Sequence, residues 1–513
     1  MLDTQMKEQL KSVFASLENK ITLSYFASEH AKQSELIEML NSVAETSANI
    51  EVVEISKTSK HPKFLVSNKE HERILFSGIP GGHEFTSLIL AILNSDMKGK
   101  LPDQGIINRI KNIKGATIET YVSLSCENCP DVVQSLNLIS ILNSDISHEM
   151  RDGEFFSDEI SKLNIQGVPS VIIDDKLVHS GKSSLSDLIE KLEDALGTKG
   201  NAPEKQELGQ IDVAVIGGGP AGVSAAIYTA RKGLKTAIIT DKVGGQMQET
   251  KGIENFISVP YTEGPELSAA LAKHVGEYDI QLLEHRRVEN IENNELKTIT
   301  LNTGESLQTK AIIIATGAKW RELGVDGEKE YIGRGVAYCP HCDGPYYKGK
   351  DVSVIGGGNS GVEAAIDLAG IVKRVTLFEF LPELKADKVL VDKLSSLPNV
   401  KIIKNARTNK VIGNGEKVTA LEYEDRESGE LSSIELDGVF VQIGLVPNSG
   451  FLNGLVETNK FGEIVVTEKC RTSQKGIYAA GDVTTVPYKQ IIISMGEGAK
   501  AGLSTFEDLM ITG

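Results

Sequence analysis

Two copies of one short pattern, an apolar strand followed by a glycine turn and an alanine-rich helix, limit most strongly how this chain can fold. The first copy reads IDVAVIGGGPAGVSAAIYTARKG (211–233), and the second reads KDVSVIGGGNSGVEAAIDLAG (350–370). A helix after a strand returns the chain for a parallel neighbour, so such units build parallel sheets. Strand and helix patterns alternate along most of the 513 residues. We therefore predict an α/β protein.

The glycine spacing in each copy is that of a turn that binds the pyrophosphate of a dinucleotide. In G-x-G-x-x-G the first glycine makes the turn, the second lets the backbone approach the pyrophosphate, and the third lets the helix pack closely on the strand. The candidate binding residues are Gly217, Gly219, Pro220, Ala221 and Gly222 in the first copy, and Gly356, Gly358, Asn359, Ser360 and Gly361 in the second. The pattern predicts two Rossmann-like nucleotide-binding domains.

An acidic residue follows each turn at about the distance, roughly 20 residues, at which a carboxylate binds a ribose hydroxyl. These residues are Asp241 and Glu379, at the ends of TAIITD and VTLFE. Two such sites suggest FAD in one and a nicotinamide cofactor in the other. Glu379 would repel a 2′-phosphate, and the segment FLPELKAD after it contains no arginine cluster that could bind one. We therefore expect NADH rather than NADPH.

Four of the five cysteines form two Cys-x-x-Cys pairs. In CPHCDG (339–344) the spacing of Cys339 and Cys342 suits a reversible disulfide. Asp343 follows directly and is a candidate acid or base for a departing thiol, and His341 is a candidate for lowering a thiol pKa. Cys470 stands alone in VTEKCRTSQKG, and we expect no role for it.

The second pair, Cys126 and Cys129 in SCENCP, follows the strand pattern TIETYVSL and opens a helix pattern. A helix N-terminus stabilises a thiolate, so Cys126 is predicted to be the reactive member and Cys129 the resolving one. Pro169 lies at a place where a thioredoxin-like fold often has a cis proline against its disulfide. A single zinc site of all four cysteines is the alternative, but its pairs would be separated by far more than the usual ~15–20 residues.

The first 196 residues contain an internal duplication. Strand candidates at 21–26, 50–55 and 63–66 surround a helix pattern at 34–43, and a similar order follows with 117–124, 132–142, 169–174 and a helix at 183–196. The polar stretch GTKGNAPEKQELGQ (197–210) is predicted to be a linker.

Charge and hydropathy exclude several classes of function. The net charge of −17 disfavours nucleic acid and anionic membranes as partners. The N-terminus lacks the pattern of a secretory signal, and no apolar run approaches the ~18 residues of a membrane span. We expect a cytoplasmic protein.

Four segments together resemble the F component of alkyl hydroperoxide reductase, the flavoprotein that keeps a bacterial peroxiredoxin reduced. They are ETYVSLSCENCPDVVQSLN, CPHCDGP, IGGGNSGVEAAIDLAG and GDVTTVPYKQIII, and the likeness covers essentially the whole chain. From Ile211 onward the chain also resembles low-molecular-weight thioredoxin reductase. The resemblance implies two fused thioredoxin-like folds (1–196), an FAD-binding domain (211–322 and 450–513), and an inserted NADH-binding domain (323–449) that carries CPHC.

The resemblance also implies roles for individual residues. Further flavin contacts are implied for Gly245, Gln246, Asn255, Thr316, Gly317, Gly481, Asp482 and Gln490. Cys342 matches the thiol nearest the flavin, Cys339 the interchange thiol, and Asp343 the acid beside them. Glu84 matches a glutamate of the first thioredoxin-like fold that lies close to the active disulfide. That fold has Ser28-Glu29-His30 where a redox motif would stand, so it cannot carry dithiol chemistry.

The implied activity is an NADH:peroxiredoxin disulfide oxidoreductase that acts as a homodimer. Electrons would pass from NADH to FAD, to Cys339–Cys342, to Cys126–Cys129, and to a peroxiredoxin of the type that forms the C component of alkyl hydroperoxide reductase. Two alternatives remain open. One is an NADH oxidase that forms hydrogen peroxide, and the other is a redox-sensing module that only docks partners.

Overall fold

The computed structural model describes residues 2–126, 128–163, 165, 167–200, 206–250, 252–338 and 340–512. It forms two compact units. The N-terminal unit consists of Met1–Glu207 with the short segments Glu284–Arg287 and Leu301–Ser306. The C-terminal unit consists of Leu208–Leu283, Val288–Thr300 and Leu307–Gly513.

The N-terminal unit has seven α-helices and eight strands among its described residues. In chain order they are α1 Thr4–Phe14, β1 Ile21–Ala27, α2 Gln33–Ala44, β2 Ile50–Thr58, β3 Lys63–Ser67, β4 Ile74–Ser77, α3 Phe85–Ser95, α4 Gln104–Asn112, β5 Ala116–Val122, α5 Cys129–Leu142, β6 Ile146–Asp152, α6 Ser157–Lys162, β7 Ser170–Ile173, β8 Lys176–Ser180 and α7 Leu185–Leu196. Short 3₁₀ turns occupy Gly82–Glu84 and Gly153–Phe155.

All eight strands form one sheet, in the order β2-β1-β3-β4-β6-β5-β7-β8. The first four strands and the last four repeat the same arrangement, with one parallel pair followed by two antiparallel pairs. The two halves join through the parallel pair β4 and β6. The duplication predicted from the sequence is therefore two thioredoxin-like halves that share one continuous sheet.

The C-terminal unit has more strands and fewer residues per element. Its elements are β9 Glu207–Ile216, α8 Pro220–Ala230, β10 Thr236–Ile239, α9 Gly264–Gly276, β11 Ile280–Leu283, β12 Val288–Glu292, β13 Lys297–Leu301, β14 Ser306–Ile314, β15 Ala318–Trp320, β16 Val336–Ala337, α10 Pro340–Asp343, β17 Asp351–Ile355, α11 Asn359–Ala369, β18 Arg374–Phe378, α12 Lys388–Ser395, β19 Val400–Ile403, β20 Ala406–Gly413, β21 Val418–Asp425, β22 Leu431–Glu435, β23 Gly438–Val441, β24 Leu445–Pro447, β25 Ile477–Ala479 and α13 Ile491–Thr512.

Two of its sheets contain the glycine-turn strands. Strand β9 lies in a sheet with the order β11-β10-β9-β14-β13-β12, in which β25 adds to β14. Strand β17 lies in a five-stranded parallel sheet with the order β16-β23-β17-β18-β19. Strands β20–β22 form a separate antiparallel sheet, and β15 pairs with β24 in a two-stranded ribbon. The boundaries between the expected FAD-binding and NADH-binding domains, at 322/323 and 449/450, stay a prediction.

The structure differs from the sequence-based expectation at the linker. Residues 207–210 lie in strand β9 rather than in the linker, because the strand extends backward from the buried run that starts at Ile211. Residues 201–205, the centre of the predicted linker, lie outside the described residues. The Val168–Pro169 peptide bond is cis, as expected. Within the described part of the chain, no helix is both long and apolar enough to cross a membrane.

Candidate redox and nucleotide-binding sites

The first glycine turn is held by two contacts that leave no room for a side chain. Gly217 has φ 113°, and a Cβ on it would lie 2.2 Å from the carbonyl oxygen of Ala315. A Cβ on Gly222 would lie 1.9 Å from the carbonyl oxygen of Gly217. A Cβ on Gly219 would meet no atom within 4 Å. The first and third glycines thus fix the turn, and the second leaves the open side that a pyrophosphate needs.

The second glycine turn repeats this geometry. A Cβ on Gly356, which has φ 121°, would lie 2.4 Å from the carbonyl oxygen of Gln442, and a Cβ on Gly361 would lie 2.0 Å from that of Gly356. Gly358 again faces open space. Helices α8 and α11 start beside the two open sides, with Pro220-Ala221 and Asn359-Ser360 as their first residues. Backbone N–H groups at a helix N-terminus favour an anionic group there.

The residues at the ends of β10 and β18 are not two acids. Directly after β18, Glu379 is buried, and its two carboxylate oxygens accept hydrogen bonds from the N–H groups of Gly357 (2.5 Å) and Leu381 (2.7 Å). Directly after β10 stands Thr240, whose hydroxyl accepts from the N–H of Gly218 at 3.0 Å. Thr240 therefore occupies the place that Glu379 has in the second fold, and Asp241 comes one residue later. The sequence already indicated this difference, because Asp241 lies one residue farther from the third glycine of its turn than Glu379 does.

Several predicted flavin contacts lie in pairs in the C-terminal unit. Asn255 donates to Gln490 at 3.1 Å. Thr316 exchanges two hydrogen bonds with Asn448, one to each residue's backbone carbonyl. Gly245 follows Gly244, and both have positive φ.

Asp482 is the partly buried acid of this group. Burial raises its pKa, and its carboxylate accepts a hydrogen bond from the Ser494 hydroxyl at 3.0 Å, which opposes that rise. Gly481 before it has φ 77°, and a Cβ there would lie 2.8 Å from the Cβ of Ala221 on helix α8. The Gly481-Asp482 turn therefore packs against the helix that starts at the first glycine turn. This donor and acceptor set, with the open side of Gly219, fits a dinucleotide.

The CPHC segment falls largely outside the described residues. Cys339 is not among them, and only the helical backbone of α10 is described for His341 and Cys342. Asp343 closes this helix and lies near Tyr347. Burial raises the pKa of Tyr347 to about 12, and the charge of Asp343 adds to that rise.

Cys126 and Cys129 form a disulfide with a Cα–Cα distance of 5.5 Å. Cys129, rather than Cys126, is the first residue of helix α5, so the predicted position of Cys126 at the start of the helix is wrong. Cys129 is fully buried in the core of the first thioredoxin-like half, whereas Cys126 is partly exposed. The Cys126 sulfur lies 3.8 Å from the carbonyl oxygen of Val168, beside the cis proline. Of the two sulfurs, only that of Cys126 is thus accessible to a partner thiolate.

The buried carboxyl group of Glu84 belongs to the first half, in a turn that contacts the loop before this disulfide. The 3₁₀ turn Gly82–Glu84 is tied to that loop by a hydrogen bond from the N–H of His83 to the carbonyl oxygen of Leu124 (3.3 Å). Glu84 is fully buried, and neither of its oxygens has a hydrogen-bond partner among the described residues. Burial raises its pKa to about 7, and the charge of Asp131, two residues after Cys129, adds to the rise.

The remaining candidate residues, His30 and Cys470, pack against other side chains of the fold. His30, in the place of a redox motif, packs edge-on against Phe155 of the second half at 5.2 Å between ring centroids. Cys470 is buried with its sulfur 3.1 Å from a carboxylate oxygen of Glu497, and burial raises its pKa to about 12. These surroundings are those of a buried core thiol, and the absence of a role for Cys470 stays a prediction.

Replacing Gly222 with alanine should abolish binding of the cofactor at the first glycine turn, because the new Cβ would force α8 away from the carbonyl oxygen of Gly217. The measurement is flavin absorbance of the purified protein. Gly276→Ala is the matched control, since a Cβ there meets no atom within 4 Å on an exposed helix end. Retention of a full complement of flavin by Gly222→Ala would contradict this interpretation.

Glu84 should make the stability of the N-terminal unit depend on pH. Between its ordinary pKa of 4.5 and the raised value of about 7, the folded state binds a proton that the unfolded state releases. Its contribution to the free energy of unfolding therefore falls as pH rises through this range, by up to about 3 kcal/mol, and is constant above it.

Denaturant unfolding at pH 5 and pH 8 would measure this effect. Glu84→Gln should remove that part of the pH dependence and be relatively more stable than the native protein at pH 8. Glu72→Gln, at an exposed site, should behave as the native protein does. Equal pH profiles for native protein and Glu84→Gln would show that Glu84 is not protonated in the fold.

Comparison with known proteins shows which families the two units resemble. The family model "Pyridine nucleotide-disulphide oxidoreductase" matches residues 211–498, and "Thioredoxin domain" matches residues 116–194. The structure of thioredoxin reductase from Streptococcus pyogenes is similar at a TM-score of 0.56 and 36% identity, covering 59% of this chain and 99% of that one. Thioredoxin reductase from Giardia duodenalis has the same TM-score at 31% identity and the same coverage.

Relatives that match over the full length have two names. The F component of alkyl hydroperoxide reductase from Escherichia coli is 49% identical over 100% of this chain and 99% of its own. A protein called NADH dehydrogenase from Bacillus subtilis is 48% identical over 99% of each chain. The F component from Staphylococcus epidermidis is 48% identical, also over 99% of each. The chain belongs to the family formed by the F components of alkyl hydroperoxide reductases, among the pyridine nucleotide-disulphide oxidoreductases.

Proposed function

We propose that the protein transfers electrons from NADH, through FAD, Cys339–Cys342 and Cys126–Cys129, to a peroxiredoxin, the C component of alkyl hydroperoxide reductase. Family membership makes the chain a flavin-dependent disulfide oxidoreductase. The observation that carries the residue-level proposal is the Cys126–Cys129 disulfide, with one sulfur buried and the other accessible beside a cis proline. In this proposal the disulfide is the site of thiol–disulfide exchange, in a chain that also has two glycine turns of the dinucleotide-binding kind.

The first glycine turn, within 211–322 and 450–513, would hold FAD, and the second, within 323–449, would hold NADH. When bound, these cofactors supply hydride transfer and two-electron reduction of a disulfide. The chain's own residues orient them: the glycine turns receive the pyrophosphates, and Glu379 receives a ribose. Asp343, which follows Cys342 in the sequence, would exchange a proton with a departing thiol.

The last two steps are thiol–disulfide exchanges between cysteines. Cys339 as thiolate attacks the sulfur of Cys126 and displaces the thiolate of Cys129. Cys342 then attacks the mixed disulfide at Cys339, which forms the Cys339–Cys342 disulfide again and releases Cys126 as a thiolate. Cys126, the accessible sulfur, then attacks the disulfide of the peroxiredoxin, and Cys129 resolves the mixed disulfide by displacing the partner's thiolate. The buried sulfur of Cys129 suits resolution, because it reaches only the neighbouring Cys126. Small differences in potential set the direction, since ~30 mV corresponds to about 1.4 kcal/mol.

A homodimer in the cytoplasm is the assembly and location that we propose. Large apolar side chains of the C-terminal unit support an interface: Ile257, Tyr261 and Tyr488 are 74%, 53% and 77% exposed. Redox-active rather than structural Cys-x-x-Cys pairs suit a reducing compartment.

Glu379 supports NADH as the electron donor. Each of its oxygens uses one lone pair on a backbone N–H, which leaves further lone pairs for a ribose hydroxyl and a negative charge that repels a 2′-phosphate. We expect Glu379→Gln to lower kcat/KM for NADH and to raise the NADPH:NADH ratio of kcat/KM by about tenfold, the equivalent of ~1.4 kcal/mol. Glu383→Gln, on an exposed side chain of the same loop, is the control. An unchanged ratio would exclude Glu379 from cofactor selection.

The relay is tested by Cys126→Ser. This change should leave the anaerobic reduction of flavin by NADH intact and stop NADH-dependent reduction of an oxidised peroxiredoxin, because no accessible sulfur remains at the exchange site. Both rates are measured by rapid mixing, and partner thiols are counted after alkylation.

Ser125→Ala is the matched control, since Ser125 is exposed beside Cys126 and its loss should change neither rate. Turnover of peroxiredoxin by Cys126→Ser would refute the relay. If the native protein produces hydrogen peroxide from oxygen but no partner thiols, it is an NADH oxidase instead.

A further inference from the structure

The ribbon of β15 and β24 is the point at which the chain passes between the two nucleotide sheets of the C-terminal unit. Three residue pairs form it, with Ala318 opposite Pro447 and Trp320 opposite Leu445. A glycine with positive φ precedes each strand: Gly317 at 68° and Gly444 at 104°. A Cβ on either would meet no atom within 4 Å. These features are those of a hinge whose ends can change their backbone angles.

Gln246 connects Trp320 by hydrogen bonds to the fold that contains the β9 sheet. The Gln246 amide satisfies both of its ends when its oxygen accepts from the indole N–H of Trp320 (2.8 Å) and its nitrogen donates to the carbonyl oxygen of Ala318 (2.5 Å). Gln246 lies in the 3₁₀ turn Gly245–Glu249, which follows β10. The hydrogen bonds therefore fix the indole relative to the predicted flavin site.

The same indole packs on the segment that carries the CPHC cysteines. Its ring stacks on that of Tyr338, with centroids 6.3 Å apart and planes inclined by 24°. Tyr338 directly precedes Cys339 and is anchored twice: its hydroxyl donates to Glu328 at 2.9 Å, and its carbonyl oxygen accepts from Gln442 at 2.7 Å. Glu328 is fully buried and also accepts from the N–H groups of Leu323 and Gly324.

We propose that Trp320 is a positioning residue that holds the two nucleotide folds in the described arrangement, and that its stack on Tyr338 opens during each turnover. The proposal rests on the proposed function, in which Cys342 must face the flavin in one step and Cys339 must reach a protein disulfide in another. One rigid arrangement cannot serve both steps. The indole contacts both sides of the hinge, so rotation about the ribbon must break at least one of its two contacts.

The chain has a single tryptophan, so every change in tryptophan emission arises at Trp320. The experiment follows tryptophan emission of the full-length, flavin-loaded protein after anaerobic mixing with NADH. In parallel, flavin reoxidation is followed by absorbance, and Cys126 thiols are counted by quenching with an alkylating agent. Tyr338→Leu removes the stack, and Tyr338→Phe keeps the ring but loses the bond to Glu328.

In the native protein we expect emission to change with the same rate constant as the appearance of Cys126 thiols. In Tyr338→Leu this change should be lost, and the ratio of the rates of flavin reoxidation and Cys126 thiol formation should shift by about two- to tenfold, the effect of one aromatic pair. Tyr338→Phe should resemble the native protein. Flavin reduction itself alters emission by energy transfer, and that part should be equal in all three proteins.

Thiols at Cys126 together with an unchanged emission signal and ratio in Tyr338→Leu would overturn the role of Trp320 and leave the relay standing. Absence of Cys126 thiols in the native protein would overturn the relay itself, and the proposal about Trp320 with it.

Discussion

Both nucleotide folds depend on one close contact, between the third glycine of a turn and the carbonyl oxygen of the first. With Cβ atoms at Gly222 and Gly361, these contacts would shrink to 1.9 and 2.0 Å, well inside van der Waals distance. The contact places α8 and α11 against their strands, so that their N-termini point at the open sides of Gly219 and Gly358. Beside these contacts, Gly481 packs against Ala221 of α8, and Glu379 accepts a hydrogen bond from the N–H of Gly357.

The two sulfurs of the N-terminal disulfide have unequal surroundings. Cys129 belongs to the apolar core of the first thioredoxin-like half, although it is in the sequence of the second half. The first half has no cysteine, and it supplies the buried Glu84 and the wall behind Cys129. Fusion of two thioredoxin-like halves into one sheet thus buries Cys129 of the second half against residues of the first half.

Local sequence patterns predicted much of this structure. Periodicity placed β1, α2, β5 and α7, and the glycine spacing located both nucleotide turns, because these features depend on neighbours in the chain. The pairing of β4 with β6, the place of Thr240, and the contact of Trp320 with Tyr338 depend on residues far apart in sequence. The start of α5 at Cys129 rather than Cys126 depends on how the loop before it closes. No local pattern determines such features. The roles of Cys339 and Cys342 remain predictions from the resemblance to the family.

The central claim is that one chain holds a flavin and two redox dithiols in series. Anaerobic titration of the native protein with NADH, counting electrons accepted per chain, tests it most directly. The relay predicts uptake of about six electrons, two for the flavin and two for each Cys-x-x-Cys pair, with new thiols at Cys126 and Cys129. Uptake that stops at two electrons, with the Cys126–Cys129 disulfide intact, would contradict it.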